Sequence, residues 1–366
     1  MDRERFMRRA LALAEQGAGR TNPNPMVGCV IVKDGEIIGE GFHEKYGQFH
    51  AERNALLHCT QDPAGADLYV TLEPCCHYGK TPPCTEIIIE KRIARVFVGS
   101  TDPNPLVAGN GIRILREAGI EVETGLLEAE CRRLNEVFYH FITTGTPFTA
   151  MKYAMTLDGK IAAVTGDSKW ITGEAARRHV HDLRRRYAAV LVGIGTVIAD
   201  DPMLNCRIAE GADPVRVVCD SGLRIPAESK LVRTAREIPT IVACTRAGAE
   251  NQAKADRLRE AGIGLIVTDG SRVDLRQLMA ALGARKLDSV LLEGGGTLNA
   301  AALEAGIVNR VYAYIAPKLI GGRDAPSPIR GAGIPNMADA VMLEQVSVQM
   351  LDGDICISGY PIRKGA

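Results

Sequence analysis

The chain has 366 residues, with 44 basic side chains against 44 acidic ones, so it carries no net charge. That length exceeds one ordinary core and predicts two domains. The charge balance argues against a broad nucleic-acid surface, which draws on an excess of Lys and Arg to displace counterions. No stretch approaches the roughly 20 apolar residues of a membrane span, and residues 1–5 lead into an amphipathic segment rather than a signal peptide, so no membrane contact and a cytoplasmic location are expected.

Phe6, Met7, Ala10, Leu11, Leu13 and Ala14 recur at helical spacing and predict a helix that stops before Gly17. Thr21-Asn22-Pro23-Asn24-Pro25 cannot be helical, because each proline fixes its own φ and pushes the preceding residue to extended geometry. Asn24, at the edge of the next strand, is a candidate for bonding a substrate or its own backbone. A hairpin follows, from 28–32 and 36–39 around Asp34-Gly35. A helix over 51–57 sets His50 and Glu52 at its start, ahead of a buried strand at 68–72 and a second helix from about Cys84. Residues 94–98 form another strand, and Asp102 and Asn104 in the turn after it lie where open α/β sheets bind ligands. Helices are predicted over 109–118 and 126–141. Gly145-Thr146-Pro147 then breaks the pattern and divides the chain into domains 1–145 and 146–366.

The densest chemistry lies inside this first half. Zinc takes four tetrahedral ligands, and a catalytic site draws three from the protein and leaves the fourth position to water. His50, Cys75 and Cys84 make three. Glu52, two residues from the histidine, can reach that water without binding metal, as a base that takes a proton and hands it on. H-x-E followed by P-C-x-x-C is the pattern of zinc deaminases of nucleobases. Here eight residues, not two, separate Cys75 from Cys84, and Cys76 is an extra candidate ligand. Cys75 is preferred because it directly follows Pro74. A closed structural site with Cys76 as fourth ligand is the competing reading, and it would leave Glu52 without a role.

In the second half, strands at 148–153, 189–192, 215–219, 240–243, 264–267, 289–292 and 311–315 alternate with helices at 174–186, 253–260, 275–281 and 298–305. Such alternation predicts a mostly parallel sheet covered on both faces. Glu293-Gly294-Gly295-Gly296, between a strand and a helix, is a phosphate cradle or a tight turn. Ser168, Trp170, Thr196, Asp200, Arg184 and Arg207 lie near predicted element ends, and the arginine fork suits a phosphate.

The whole chain resembles the bifunctional diaminohydroxyphosphoribosylaminopyrimidine deaminase / 5-amino-6-(5-phosphoribosylamino)uracil reductase family of riboflavin biosynthesis. The resemblance rests on Pro23-Asn24-Pro25, Val27-Gly28-Cys29-Val30, His50-Ala51-Glu52, Thr71-Leu72-Glu73-Pro74-Cys75 and Thr81-Pro82-Pro83-Cys84 in the first half. Asp102-Pro103-Asn104-Pro105, Leu157-Asp158-Gly159, Trp170-Ile171-Thr172, Ala199-Asp200-Asp201-Pro202, Glu293-Gly294-Gly295 and Ile315-Ala316-Pro317-Lys318 complete it. It implies an α/β chain with a cytidine-deaminase-like α/β/α domain followed by a dihydrofolate-reductase-like α/β domain.

By that likeness His50, Cys75 and Cys84 hold one Zn2+ per deaminase domain, and Glu52 is the catalytic proton carrier. Asn24, His43, His77, Lys80, Asp102 and Asn104 would line the pyrimidine and ribose-phosphate pocket. NADPH would lie near Ala154, Trp170, Thr196, Asp200, Ser221 and the run Gly295, Gly296, Thr297, Leu298, Asn299, Ala300 and Ala301; its preference over NADH comes from the family alone. Ser168, Arg184, Leu204, Arg207 and Glu293 would meet the phosphoribosyl substrate. The implied reactions are hydrolytic deamination of a phosphoribosyl diaminopyrimidinone and then reduction of its ribosyl group to ribityl, by a homodimer or homotetramer acting on small molecules. Two other readings stand beside this one: a tRNA or nucleoside deaminase with an appended reductase-like domain, and a zinc-structured nucleic-acid binding module. The even charge and 5% aromatic content count against the last, since single strands are held by cationic grooves and stacking rings.

Overall fold

The computed structural model describes residues 3–105, 107–208 and 211–362. The chain forms two compact units, Met1–Gly145 and Thr146–Ala366.

The first unit runs α1 (Arg3–Ala14), β1 (Gly28–Lys33), β2 (Glu36–Phe42), α2 (Ala51–Leu57), β3 (Asp67–Leu72), α3 (Cys84–Glu90), β4 (Arg95–Ser100), α4 (Asn110–Glu117), β5 (Glu121–Thr124), α5 (Glu128–Leu134) and α6 (Glu136–Thr144). Its sheet order is β2-β1-β3-β4-β5. The β2, β1 and β3 pairings are antiparallel, and β3, β4 and β5 run parallel. Side chains alternate across the sheet as strand geometry dictates. Cys29, Ile31, Leu68 and Val70 pack on Ala55, Leu56, Ile87 and Ile88 on one face, while Val30, Val32, Tyr69 and Phe97 pack on Phe6, Met7 and Ala10 on the other. Every residue of β3 is buried as a result.

Gly41 brings α2 directly onto the sheet: a Cβ there would lie 2.7 Å from the Ala51 carbonyl oxygen and 2.8 Å from the Asn54 carbonyl carbon. The helix start that carries His50 and Glu52 is thereby seated on β2.

Two local features differ from expectation. Strand β5 is absent from the elements predicted above, and the single helix predicted over 126–141 is two helices. The break falls at Asn135, whose side chain is 2% exposed. Its amide nitrogen donates to the Met26 carbonyl (2.9 Å) and its oxygen accepts the Met26 N–H (2.8 Å), tethering the proline-rich loop ahead of β1.

The second unit runs β6 (Phe148–Thr156), α7 (Glu174–Arg186), β7 (Ala189–Gly193), α8 (Ile194–Asp200), β8 (Val215–Cys219), α9 (Lys230–Arg233), β9 (Thr240–Thr245), α10 (Arg246–Ala249), α11 (Gln252–Glu260), β10 (Ile263–Thr268), α12 (Leu275–Ala284), β11 (Ser289–Leu292), α13 (Gly296–Glu304), β12 (Val308–Ala316), β13 (Leu343–Leu351) and β14 (Asp354–Pro361). The nine strands are ordered β10-β9-β8-β7-β11-β6-β12-β14-β13. From β10 to β12 every neighbour is parallel, as predicted, and β14 and β13 add an antiparallel edge that was not. Helices cover both faces through separate apolar clusters, one around Met151, Leu191, Leu278 and Leu292 and one around Val190, Val218, Leu231 and Leu258. Helix α8 follows β7 without a loop, and α13 starts at Gly296, two residues ahead of the predicted start. Among the described residues no helix is long and apolar enough to cross a membrane.

Candidate metal centre and active sites

His50 is the N-cap of α2, with extended backbone (φ −75°, ψ 165°), and Cys84 is the first residue of α3. Cys75 sits three residues past the end of β3. These elements bring three ligand atoms within 4.8 Å of one another. His50 Nδ1 is 3.4 Å from Cys75 Sγ and 3.5 Å from Cys84 Sγ. Tetrahedral zinc, with bonds of about 2.0–2.3 Å, separates a nitrogen from a sulfur ligand by about 3.6 Å, so the set fits the ion. The Cys84 N–H donates to Cys75 Sγ (3.3 Å). Hydrogen bonding from the Cys84 side chain, against burial and with help from His50, brings the Cys75 thiol down to about 4. Among the described residues the ligand group comprises these three, and Cys76 is outside it. That disfavours the closed four-ligand alternative.

Glu52 is 3% exposed beside this centre, and burial, followed by the charge of Cys75, pushes its carboxyl up to about 7. A cavity of about 250 Å³ opens onto His50, Glu52 and Cys75, and its walls carry Asn24, His43, His77, Lys80, Asp102 and Asn104. All the deaminase-side candidates therefore line one cavity except Cys84, which is covered and completes the ligand cluster behind it.

The polar wall has a defined direction. His43 Nδ1 lies 3.0 Å from the Phe49 carbonyl and must donate to it, which leaves Nε2 as an acceptor for the Asn24 amide nitrogen at 3.3 Å. Burial lowers the pKa of His43 and keeps the ring neutral, in accord with that tautomer. Asp102, raised to about 6 chiefly by burial, accepts the Asn104 N–H (2.8 Å). At the rim, the Lys80 ammonium sits 4.0 Å from the centre of the Tyr46 ring.

In the second unit the charged centre is Glu293, just past β11. Arg184 of α7 donates to both its oxygens, at 2.6 and 3.0 Å, and Lys152 of β6 lies 3.8 Å away. The Arg207 N–H reaches His181 Nδ1 at 3.3 Å. Helix α13 opens at Gly295 with no side-chain cap, and a Cβ on Gly295 would have the Thr196 hydroxyl as its nearest neighbour, at 3.8 Å. Uncapped N–H groups beside an open glycine suit a dinucleotide phosphate. Leu298 packs over Gly193 and Gly294, Thr297 is exposed, and Ala301 is half-buried.

Other candidates have quieter surroundings. Asn299 is fully buried with its amide on the Pro328 carbonyl (2.9 Å), and Ala300 is 8% exposed, so backbone rather than side chain is what these two offer. Leu204 packs in the Val190 and Val218 core. Ser221 accepts the Val273 N–H (3.1 Å), Ala154 pairs with Tyr314 across the sheet, and Asp200 ends α8 in solvent. Ser168 is half-buried next to an exposed Trp170, whose ring lies 4.8 Å below the Arg177 guanidinium.

Several residues at these sites escaped the sequence reading. Tyr46, Glu73 and Phe138 line the first cavity, and Lys152 and His181 join the second cluster. Lys152 had a usable signal: it is a charge that directly follows four buried residues of a strand, where burial demands a partner.

The profile for the cytidine and deoxycytidylate deaminase zinc-binding region matches residues 1–100, and that for the RibD C-terminal domain matches residues 147–357. The riboflavin biosynthesis protein RibD of Actinobacillus pleuropneumoniae is 54% identical, over 96% of this chain and 93% of its own. The chain belongs to the RibD family. The RibD of Escherichia coli strain K12 is 40% identical over 98% of this chain and 99% of its own. Among solved structures, the diaminohydroxyphosphoribosylaminopyrimidine deaminase / 5-amino-6-(5-phosphoribosylamino)uracil reductase of Thermotoga maritima is 39% identical, with 98% of each chain covered and a TM-score of 0.87. A RibD structure from Acinetobacter baumannii is 40% identical, with a TM-score of 0.87 over 98% of this chain and 99% of that one.

Membership of the RibD family makes this a bifunctional riboflavin-biosynthesis enzyme, with a cytidine-deaminase-like domain that takes zinc and a reductase domain that takes NADPH. The nucleic-acid module and the tRNA deaminase with an unrelated reductase are thereby set aside.

Proposed function

We propose that the first unit hydrolyses the ring amino group of 2,5-diamino-6-(5-phosphoribosylamino)pyrimidin-4(3H)-one to give 5-amino-6-(5-phosphoribosylamino)uracil, and that the second unit reduces the ribosyl group of that product to ribityl. The observation that carries the reading is the buried Glu52 carboxylate on the wall of a cavity that also holds His50 and Cys75. Zinc, when bound by His50, Cys75 and Cys84, supplies Lewis acidity that makes water a nucleophile at neutral pH. Glu52 takes a proton from the attacking water and returns it to the departing nitrogen, so water adds at carbon and ammonia leaves. Asn24, Asp102 and Asn104 orient the pyrimidine, and Lys80 with His77 at the exposed rim receives the phosphoribosyl arm.

In the second unit NADPH, when bound along Gly295, Gly296 and Thr196, supplies the reducing equivalent. Glu293, Lys152 and Arg184 fix a charged floor for the sugar, and the exposed Arg207 is placed for its phosphate. The assay is steady-state turnover of the purified chain. Ammonia release from the phosphoribosyl diaminopyrimidinone, little from cytidine, and NADPH oxidation with the deaminated product are expected. Equal turnover of cytidine overturns the first assignment, and no NADPH oxidation overturns the second.

We infer also that the enzyme works in the cytoplasm as a homodimer or homotetramer. Among the described residues no disulfide joins any of the cysteines, as suits a reducing compartment. Strand β13 ends the larger sheet with exposed Val346, Val348 and Met350, an apolar open edge that a second copy would cover. Sedimentation should give a dimer or larger species that Val348→Lys weakens; a monomer at all concentrations overturns this.

A further inference from the structure

Glu73 lies between the end of β3 and the metal ligand Cys75, and it is 3% exposed. Its carboxylate is met by four main-chain N–H groups. Oε2 accepts from Asp102 (3.3 Å) and Gly109 (3.0 Å), and Oε1 accepts from Gly111 (3.0 Å) and Ile112 (3.2 Å). Gly109 is the N-cap of α4, in left-handed backbone (φ 81°), and offers no side-chain cap of its own. A carboxylate from a distant strand end therefore satisfies the orphan donors of that helix start and faces the positive end of its dipole.

The same oxygens reach the turn that enters the deaminase cavity. Asp102 is held by its N–H on Glu73 and in turn accepts the Asn104 N–H, while the Asn104 carbonyl accepts the Val107 and Ala108 N–H groups at 2.8 and 2.9 Å. On its other side Glu73 is joined through Pro74 to Cys75, and a Cβ on Gly111 would collide with the Pro74 carbonyl oxygen. One side chain thus ties the segment that binds the ion to the turn that lines the pocket. Both of its oxygens are needed as acceptors, and an amide would turn an NH2 group toward two donors.

We propose that Glu73 is a positioning residue of the deaminase, which holds Asp102 and Asn104 in register with Cys75 and so sets where the pyrimidine lies relative to Glu52. This rests on the assignment of the cavity as the deaminase pocket. A cap that serves stability alone would shift the unfolding of the unit and leave KM where it was.

The test uses the full-length zinc-loaded chain as Glu73→Gln, Glu73→Asp, Asn104→Ala and the Glu73→Gln/Asn104→Ala double variant, with zinc content, deaminase kcat and KM, and reductase rate measured on each. Glu73→Gln should keep its zinc and its reductase rate and raise the deaminase KM about tenfold, with kcat changed by less than about threefold. Glu73→Asp, which keeps two acceptor oxygens, should fall between it and the parent. Because both residues act through one turn, adding Glu73→Gln to Asn104→Ala should raise KM by less than about twofold further. An unchanged KM in Glu73→Gln beside a raised KM in Asn104→Ala overturns the proposal alone, as does zinc loss that parallels the loss of activity. An unchanged KM in Asn104→Ala overturns the pocket assignment and the proposal with it.

Discussion

Arg184 and Glu293 meet in a two-pronged ion pair, with Nε to Oε1 at 2.6 Å and Nη2 to Oε2 at 3.0 Å, and the two side chains are 13% and 9% exposed. Lys152 adds a second cation, 3.8 Å from the same carboxylate. Two cations against one carboxylate leave one positive charge over, which an anionic substrate can use. Burial alone would raise the Glu293 carboxyl, but Arg184 and Lys152 outweigh it and hold the group at about 2.

A depressed carboxylate stabilises the fold fully above its unfolded value, about 4.3, and that contribution is lost as pH falls toward the folded value. The resistance of the second unit to denaturant should therefore weaken as the medium is acidified from about pH 5 to about pH 3. Glu293→Gln should flatten that dependence. Arg184→Met leaves the carboxylate buried without its main partner and should destabilise the unit by about 3–5 kcal/mol. Both are read from urea titrations that follow the second unit's transition.

Glu52→Gln removes the proton carrier and keeps the shape. Deaminase kcat should fall by about a hundredfold to ten-thousandfold, the usual span for general acid–base catalysis. Zinc content and NADPH-dependent reduction should match the parent chain. Turnover close to that of the parent would remove Glu52 from the mechanism.

Gly41→Ala tests the seating of α2. The added methyl meets the backbone of Ala51, Asn54 and Ala55, so the helix must lift. Overpacking of this kind costs about 1–3 kcal/mol, and a displacement near 1 Å at the reacting groups costs about a hundredfold in rate. Gly35→Ala is the control. Unlike Gly41 it has a strained positive φ, at 86°, and open space around it, so it should lose about 1–2 kcal/mol with deaminase activity intact.

Arg216 is fully buried in β8. Its guanidinium donates to the hydroxyls of Thr240 and Thr234 and to the carbonyls of Met203, Leu231, Thr234 and Ile238, at 2.8 to 3.3 Å. Arg216→Met keeps much of the volume and strands those acceptors. A loss of about 3–5 kcal/mol in the second unit is expected, measured by urea unfolding, with Arg216→Lys recovering only part of it.

The metal cluster was legible because His, Glu and Cys at those spacings have few other joint uses, and each sits where an element visibly starts or stops. The parallel strands of the second unit were legible as continuous apolar runs between helical segments. The β13 and β14 pair was not: Gln345-Val346-Ser347-Val348-Gln349-Met350 does alternate, but β13 is exposed on both faces, so its apolar positions face no core of this chain. Helix α8 was hidden in Gly193-Ile194-Gly195-Thr196, where local propensity speaks against a helix and the adjoining strand imposes one. The break at Asn135 depends on Met26, more than a hundred residues away, and no window along the chain contains both.

The wall formed by Phe49, His43 and Asn24 has one further consequence. A main-chain carbonyl decides which imidazole nitrogen carries the proton, and through it which end of the Asn24 amide is turned away from the ring. The ring thus takes one amide N–H and leaves the amide oxygen as an acceptor that a proton-giving group can meet. No substitution of Phe49 can invert that arrangement, since the deciding atom belongs to every amino acid alike. Selectivity at this wall is inherited from the path of the backbone, and laboratory evolution toward a ring of opposite polarity would have to begin at His43.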